Sequence, residues 1–111
     1  VVDARRCLAF HTIENREEEL PENIRAALGP WVAGCDICQD VCPWNHRSLP
    51  QSNDPDMQPR SWLLNLHKEQ IQTWDDSVWE QKLRGSALRR IKPWMWRRNA
   101  AAAQPDPTPT L

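Results

Sequence analysis

The residues with the clearest chemistry lie in the stretch GCDICQDVCPWN, positions 34 to 45. Cys35, Cys38 and Cys42 fall within eight positions there, and Pro43 follows the last of them. A fourth cysteine, Cys7, stands alone near the start of the chain. Thiolates spaced this closely are suited to holding a metal centre. A CxxC turn aims two thiolates and several backbone N–H groups at one point, where the donors offset the negative charge of a sulfur-rich centre. Three further residues carry the next thiolate about one helical turn onward. Proline directly after it disfavours a helical backbone at Cys42 and redirects the chain.

The bacterial iron–sulfur run is C-x2-C-x2-C-x3-C-P, in which the fourth cysteine ligates the other cluster of a pair. Cys35, Cys38, Cys42 and Pro43 match its last three cysteines and its proline, while Val32 occupies the place of the first. One ligand is therefore displaced, and Cys7 is the cysteine left to supply it. Two other readings of the four cysteines stay open. A structural zinc site would take all four thiolates in a tetrahedron, although C-x3-C-P is not a usual second zinc knuckle. Two disulfides would suit an exported protein. A single cluster on all four cysteines would require Cys42 to turn back toward Cys7, which the spacing disfavours.

The elements that must carry these residues belong to a small domain. The chain has 111 residues, ten prolines and three glycines. This composition suggests short helices joined by stiff connections rather than a sheet. Seven tryptophans, one phenylalanine and no tyrosine leave tryptophan to supply nearly all the aromatic packing area. No apolar run approaches the roughly 18 residues of a membrane span. No signal peptide precedes the first motif, and the expected location is the cytoplasm, where cysteines serve metals more often than disulfides. The chain opens at Val1 without Met and reaches Cys7 within seven residues, a start that suggests a truncated reading frame, a non-standard start codon or a cut sequence.

VVDARRCLAFHTIE alternates apolar and charged residues, so a short extended piece or turn is expected. LPENIRAALGPW reads as a helix with Pro21 in its first turn, an apolar stripe of Ile24, Ala27 and Leu28, and a stop at Gly29–Pro30. NHRSLPQSNDPDMQPR is a polar, proline-punctuated loop. Trp62, Leu63, Leu66, Gln70 and Ile71 share the spacing of one helical face. Residues 75–103 read as a helix, a break at Gly85, a short helix to Ile91 and a new helix from Pro93, and the tail QPDPTPTL is expected to be disordered.

Other residues invite a chemical reading beside a plainer one. His11, His46 and His67 are placed as packing or surface residues before ligands or bases. Trp62, Trp74 and Trp79 are expected in the core. Glu17, Glu18, Glu19 and Glu22 form a solvated acidic stretch that favours the following helix start. From Lys82 to Arg98 every ionisable side chain is basic: Lys82, Arg84, Arg89, Arg90, Lys92, Arg97 and Arg98. The plain reading is a solvated helix face. The functional reading is contact with RNA phosphates, with Trp94 and Trp96 available for stacking.

VVDARRCLAFHTIE, LPENIRAALGPWVAGCDICQDVCPWN and LRGSALRRIKPWMWRRNAAAA, in this order, resemble the C-terminal part of the epoxyqueuosine reductases. That resemblance covers most of residues 1–103 and is weakest from Arg47 to Arg60 and in the tail. It implies a mostly α, small irregular fold: the second half of a dicluster ferredoxin-like module, followed by the start of HEAT-like helices. The implied layout is an iron–sulfur segment at 1–46, a loop at 47–61, a helical segment with a basic face at 62–103 and a disordered tail at 104–111.

The resemblance further implies that Cys7, Cys35 and Cys38 hold one [4Fe-4S] cluster and Cys42 the other. The remaining ligands would come from a cysteine run outside this chain, as would the cobalamin-binding domain and its acidic catalytic residue. On this reading none of the 111 residues is catalytic, and the chain alone is expected to be inactive and to fold poorly. It implies the reduction of epoxyqueuosine to queuosine in tRNA, contact with the anticodon stem-loop, an electron-donor reductant and a monomer. The alternative is a stand-alone small module binding a [4Fe-4S] cluster, zinc or RNA without catalysis.

Overall fold

The structure is a computed structural model and describes residues 3–47 and 51–105. Among these residues it is helical, with no strand. Six α-helices follow in order: α1 (Leu8–Ile13), α2 (Glu22–Ala27), α3 (Ile37–Asp40), α4 (Lys68–Gln72), α5 (Asp76–Leu83) and α6 (Pro93–Ala102). Short 3-10 turns at Ala4–Arg6, Pro43–His46, Pro55–Met57, Ser61–Leu63 and Ala87–Arg90 link them. No helix among the described residues is long and apolar enough to cross a membrane. Most of QPDPTPTL lies outside the described residues.

The chain divides into two compact units, Val1–Gly34 with His67–Leu111, and Cys35–Leu66. In the first, α4 packs chiefly against α6, and α1 also rests on α6. The core gathers Leu20, Ile24 and Leu28 with Ile71, Trp74, Trp79, Leu83, Ile91, Met95 and Trp96. Trp74 and Trp96 meet with ring centroids 5.4 Å apart and planes tilted by 54°. Trp79 buries its ring and donates its indole N–H to the Ile91 carbonyl at 2.9 Å. Trp62, expected beside them, lies in the other unit and is half-buried.

Local chemistry explains most boundaries. Pro21 precedes α2, and Ile24 and Leu28 are buried while Ala27 is exposed, so the apolar stripe is narrower than expected. Asp75 caps α5 by accepting the Val78 N–H at 2.8 Å. Gly85, at φ 74°, breaks the chain after α5 in a conformation that costs other residues more. Pro93 sits in the first turn of α6, where its missing N–H is harmless.

Two expectations fail. Residues 8–13 are helical, not extended, because Leu8, His11, Thr12 and Asn15 form one buried face at helical spacing. Three of those four are polar, and their burial is sustained by hydrogen bonds that the apolar–charged alternation does not reveal. Likewise, Trp62 to Ile71 is not one helix. It breaks into the turn Ser61–Leu63 and the separate helix α4. His67, extended at φ −111° and ψ 149°, starts α4 through a reciprocal capping box with Gln70.

Candidate metal centre

All four cysteines are free thiols. Cys7 belongs to the first unit and Cys35, Cys38 and Cys42 to the second. Cys7 is half-buried and extended at φ −91° and ψ 122°, and serves as the N-cap residue of α1. Its carbonyl accepts the His11 N–H at 3.2 Å. The three neighbouring cysteines sit on a short frame. Cys35 precedes α3, Cys38 lies within it, and Cys42 follows it in extended conformation, φ −74° and ψ 123°. That departure from helix is the effect expected of Pro43, which opens the Pro43–His46 turn.

Polar ties hold this frame. Asn45 Nδ2 donates to the Gln39 carbonyl at 3.0 Å and to the Gln39 side-chain oxygen at 2.9 Å. His46 Nε2 lies 3.1 Å from the Asp40 carbonyl, so that nitrogen carries the proton and donates. Cys38 is exposed, whereas Cys35 and Cys42 are half-buried. Among the described residues no three His, Cys, Asp or Glu side chains are grouped to hold an ion. The donor set is nevertheless soft and purely thiol, which fits iron–sulfur or zinc chemistry.

His11 is buried, and both its ring nitrogens are engaged. Nε2 donates to the Arg5 carbonyl at 2.8 Å, and Nδ1 accepts from Asn15 Nδ2 at 2.9 Å. It is a satisfied core histidine, with no ring nitrogen left for a metal. His67 is occupied in the α4 cap.

The seven cations of the basic segment all lie in the first unit, and the structure gives several of them internal partners. Arg89 pairs with Glu80 at 2.8 Å and lies over the Trp79 ring. Arg90 pairs with Glu14, 76 positions away in sequence. Each arginine's hydrogen bond holds its carboxylate below the usual glutamate range. Lys82 lies over Trp74 and Lys92 over Trp79, each just under 6 Å from the ring centroid. Arg84 is exposed at the end of α5, and Arg97 donates to the Trp74 carbonyl at 2.7 Å.

Arg98 turns inward. Its five N–H donors reach the carbonyls of His11, Asn15 and Glu17 and, twice, the Asn99 side-chain oxygen. None is left for a phosphate. Burial, then the charge of Arg16, lowers its pKa. Trp96 is also not the stacking platform expected, because it is only 2% exposed and packs in the core. Trp94 keeps part of its ring accessible beneath Arg98. The residue that sequence reasoning passed over is Asn99, fully buried in α6. Its Nδ2 donates to the carbonyls of Thr12 and Val32, both at 2.9 Å. Directly after Arg97 and Arg98, it carries no signal in the sequence that sets it apart from a solvated polar residue.

Comparison with known proteins agrees with this donor set. Residues 1–45, which include all four cysteines, match the family model described as a 4Fe-4S double cluster binding domain. The chain is 96% identical over 111 residues to the epoxyqueuosine reductase of Synechococcus sp. (strain CC9605), covering 100% of this chain and 35% of that protein. Identity to the epoxyqueuosine reductase of Prochlorococcus marinus (strain NATL2A) is 57% over 99 residues, 89% of this chain and 32% of that one. The epoxyqueuosine reductase of Vibrio cholerae is 42% identical over 103 residues, 93% of this chain and 27% of its own length. No solved structure matches. The chain thus spans about a third of the length of the curated relatives it matches, and over that span it is similar to a segment of the epoxyqueuosine reductases.

Proposed function

We propose that this chain is the iron–sulfur electron-relay portion of an enzyme that reduces epoxyqueuosine to queuosine in tRNA. The observation that carries this reading is the thiol set itself. Three free cysteines sit on the Cys35–Leu66 unit, one of them set apart by the proline-directed turn, and all four lie within the double-cluster match. Cys7, Cys35 and Cys38 are the ligands assigned to one [4Fe-4S] cluster and Cys42 to the second, with the remaining ligands outside this chain. Bound clusters would supply single-electron transfer, and cobalamin, held by sequence outside this chain, the reducing centre for removal of the epoxide oxygen. What these residues themselves do is hold thiolates and order the backbone around them.

The layout supporting this role is a cysteine-bearing segment at 1–46, a connecting loop at 47–61 and a basic helical segment at 62–103 leading toward HEAT-like helices. Of the basic side chains, Lys82, Arg84 and Lys92, with the outward parts of Arg89 and Arg90, are the contacts proposed for the tRNA anticodon stem-loop. Lys92→Ala in the full-length protein is expected to weaken tRNA binding and to lower its salt slope by about one. An unchanged slope rejects Lys92 as a phosphate contact. The proposed setting is a cytoplasmic monomer fed by a separate reductant.

The cluster assignment is tested by comparing Cys38→Ala with Cys42→Ala in the full-length protein made without oxygen. Each variant is expected to lose a different one of two paramagnetic signals and to stop turnover of epoxyqueuosine-containing tRNA. Loss of one and the same signal in both variants, or zinc in place of iron, would defeat the two-cluster reading.

A further inference from the structure

Side chains far away in sequence tie together the backbone near two of the cysteines. We infer that Asn99, locked by Arg98, is a positioning residue that sets the two backbone limbs leading to Cys7 and Cys35. The inference rests on the cluster assignment proposed above for those two cysteines.

Asn99 is 0% exposed and sits in α6, a helix that contains no cysteine. Its two amide hydrogens bridge Thr12 O and Val32 O, which are 87 and 67 positions away in sequence. Thr12 lies in the last turn of α1, where carbonyls lack helical partners. Cys7 is the N-cap of that same helix. Val32 stands three positions before Cys35. One amide therefore joins the helix behind one thiolate to the strand of chain entering another.

A second tie repeats the first. Thr12 Oγ1 donates to the Leu8 carbonyl at 2.9 Å and accepts the Gly34 N–H at 2.9 Å. Gly34 has φ 77°, a left-handed turn immediately before Cys35 that a side chain would strain. Arg98 completes the device from the other side. It holds Asn99 Oδ1 with two N–H groups, and with the rest gathers the carbonyls of His11 in α1 and of Asn15 and Glu17 just beyond it.

A buried apolar residue could fill the same volume without the desolvation cost of an amide. The amide is worth that cost where geometry must be unique, because every polar atom of Asn99 has a partner and the network has one satisfied arrangement. Cubane ligation makes such a demand, since thiolates from separate segments must meet one centre. Residues just outside a ligand set govern metal retention in this way.

The test uses the full-length protein prepared anaerobically as wild type, Asn99→Asp and Ile91→Ala. Asn99→Asp keeps the shape and the Arg98 contact but removes both donors to Thr12 and Val32. Ile91→Ala is the control, a cavity in the same unit with no tie to the cysteine limbs. Asn99→Asp is expected to release iron to a chelator about tenfold faster or more than wild type. It should also alter the paramagnetic line shape of one cluster while leaving the other unchanged. Thr12→Val should move both readouts the same way, by less. Ile91→Ala should lower the thermal midpoint while iron release stays as in wild type. The inference is overturned if Asn99→Asp retains iron and line shape, or if it loses iron no faster than Ile91→Ala. Wild-type protein without iron–sulfur clusters would overturn the underlying assignment, and this inference with it, so the two failures are distinguishable.

Discussion

Val1–Gly34 with His67–Leu111 contains every buried apolar side chain among the described residues, whereas Cys35–Leu66 contains none. The second unit instead displays its large apolar groups: Ile37 is 50% exposed, Val41 68% and Trp44 75%. Its order comes from short-range ties such as Asn45 to Gln39 and His46 to Asp40. A segment of this size that buries so little apolar surface gains little from the hydrophobic effect. It does carry three thiols, and ligation can replace a core as the source of folding free energy. The first unit is thus organised by packing, and the second by short-range polar ties.

Removing the proposed clusters is the most drastic way to challenge that contrast. On chelation of the proposed clusters, the hydrogen-bonded amides of Gln39, Asp40, Val41, Cys42 and Asn45 should lose their protection from hydrogen exchange and approach unfolded-chain rates. Amides around Leu83, Ile91 and Met95 should stay protected. Equal loss in both units would mean that they share one folding transition.

Truncation gives a smaller and more local contrast. Leu28→Ala should cost about 2–5 kcal/mol in denaturant unfolding, because Leu28 is fully buried in the packed unit. Val41→Ala should stay within about 0.5 kcal/mol, as a surface change does. A large cost at Val41 would reveal a covered face and remove the distinction.

Acid should have the mildest effect and act on the first unit. Glu14 and Glu80 titrate below their ordinary range because Arg90 and Arg89 hydrogen-bond their charged forms. A depressed folded pKa adds stability that is fully present above the usual glutamate value of about 4.3. It is lost as pH falls through the lowered values. Urea midpoints should therefore be level from neutrality to about pH 5 and decline below the usual glutamate range. Arg90→Gln should flatten that decline, and an unchanged acid limb would remove the Glu14 pair from the account.

Reading the sequence worked best where a residue acts on its own neighbours. The C-x2-C-x3-C-P spacing, the helix start at Pro93 and the break at Gly85 depend on ring closure, missing N–H groups and positive φ, all local constraints. Apolar–charged alternation predicts a short extended piece or turn where α1 forms, and apolar spacing joins Trp62 to Ile71. In both places the deciding interactions were polar: a buried face of His11, Thr12 and Asn15, and a cap at His67. Apolar periodicity is silent about such bonds.

From the sequence alone came the soft-donor residue types of the four cysteines, the non-helical backbone at Cys42 and a helical architecture, with no strand among the described residues. Tertiary structure alone decided that Arg98 faces inward, that Trp96 is core and that Asn99 ties Thr12 to Val32. The physical reason is range. A proline or a thiol spacing acts within a few bonds, but a guanidinium chooses between phosphate and backbone only when residues 11–17, some 80 positions away, arrive beside it.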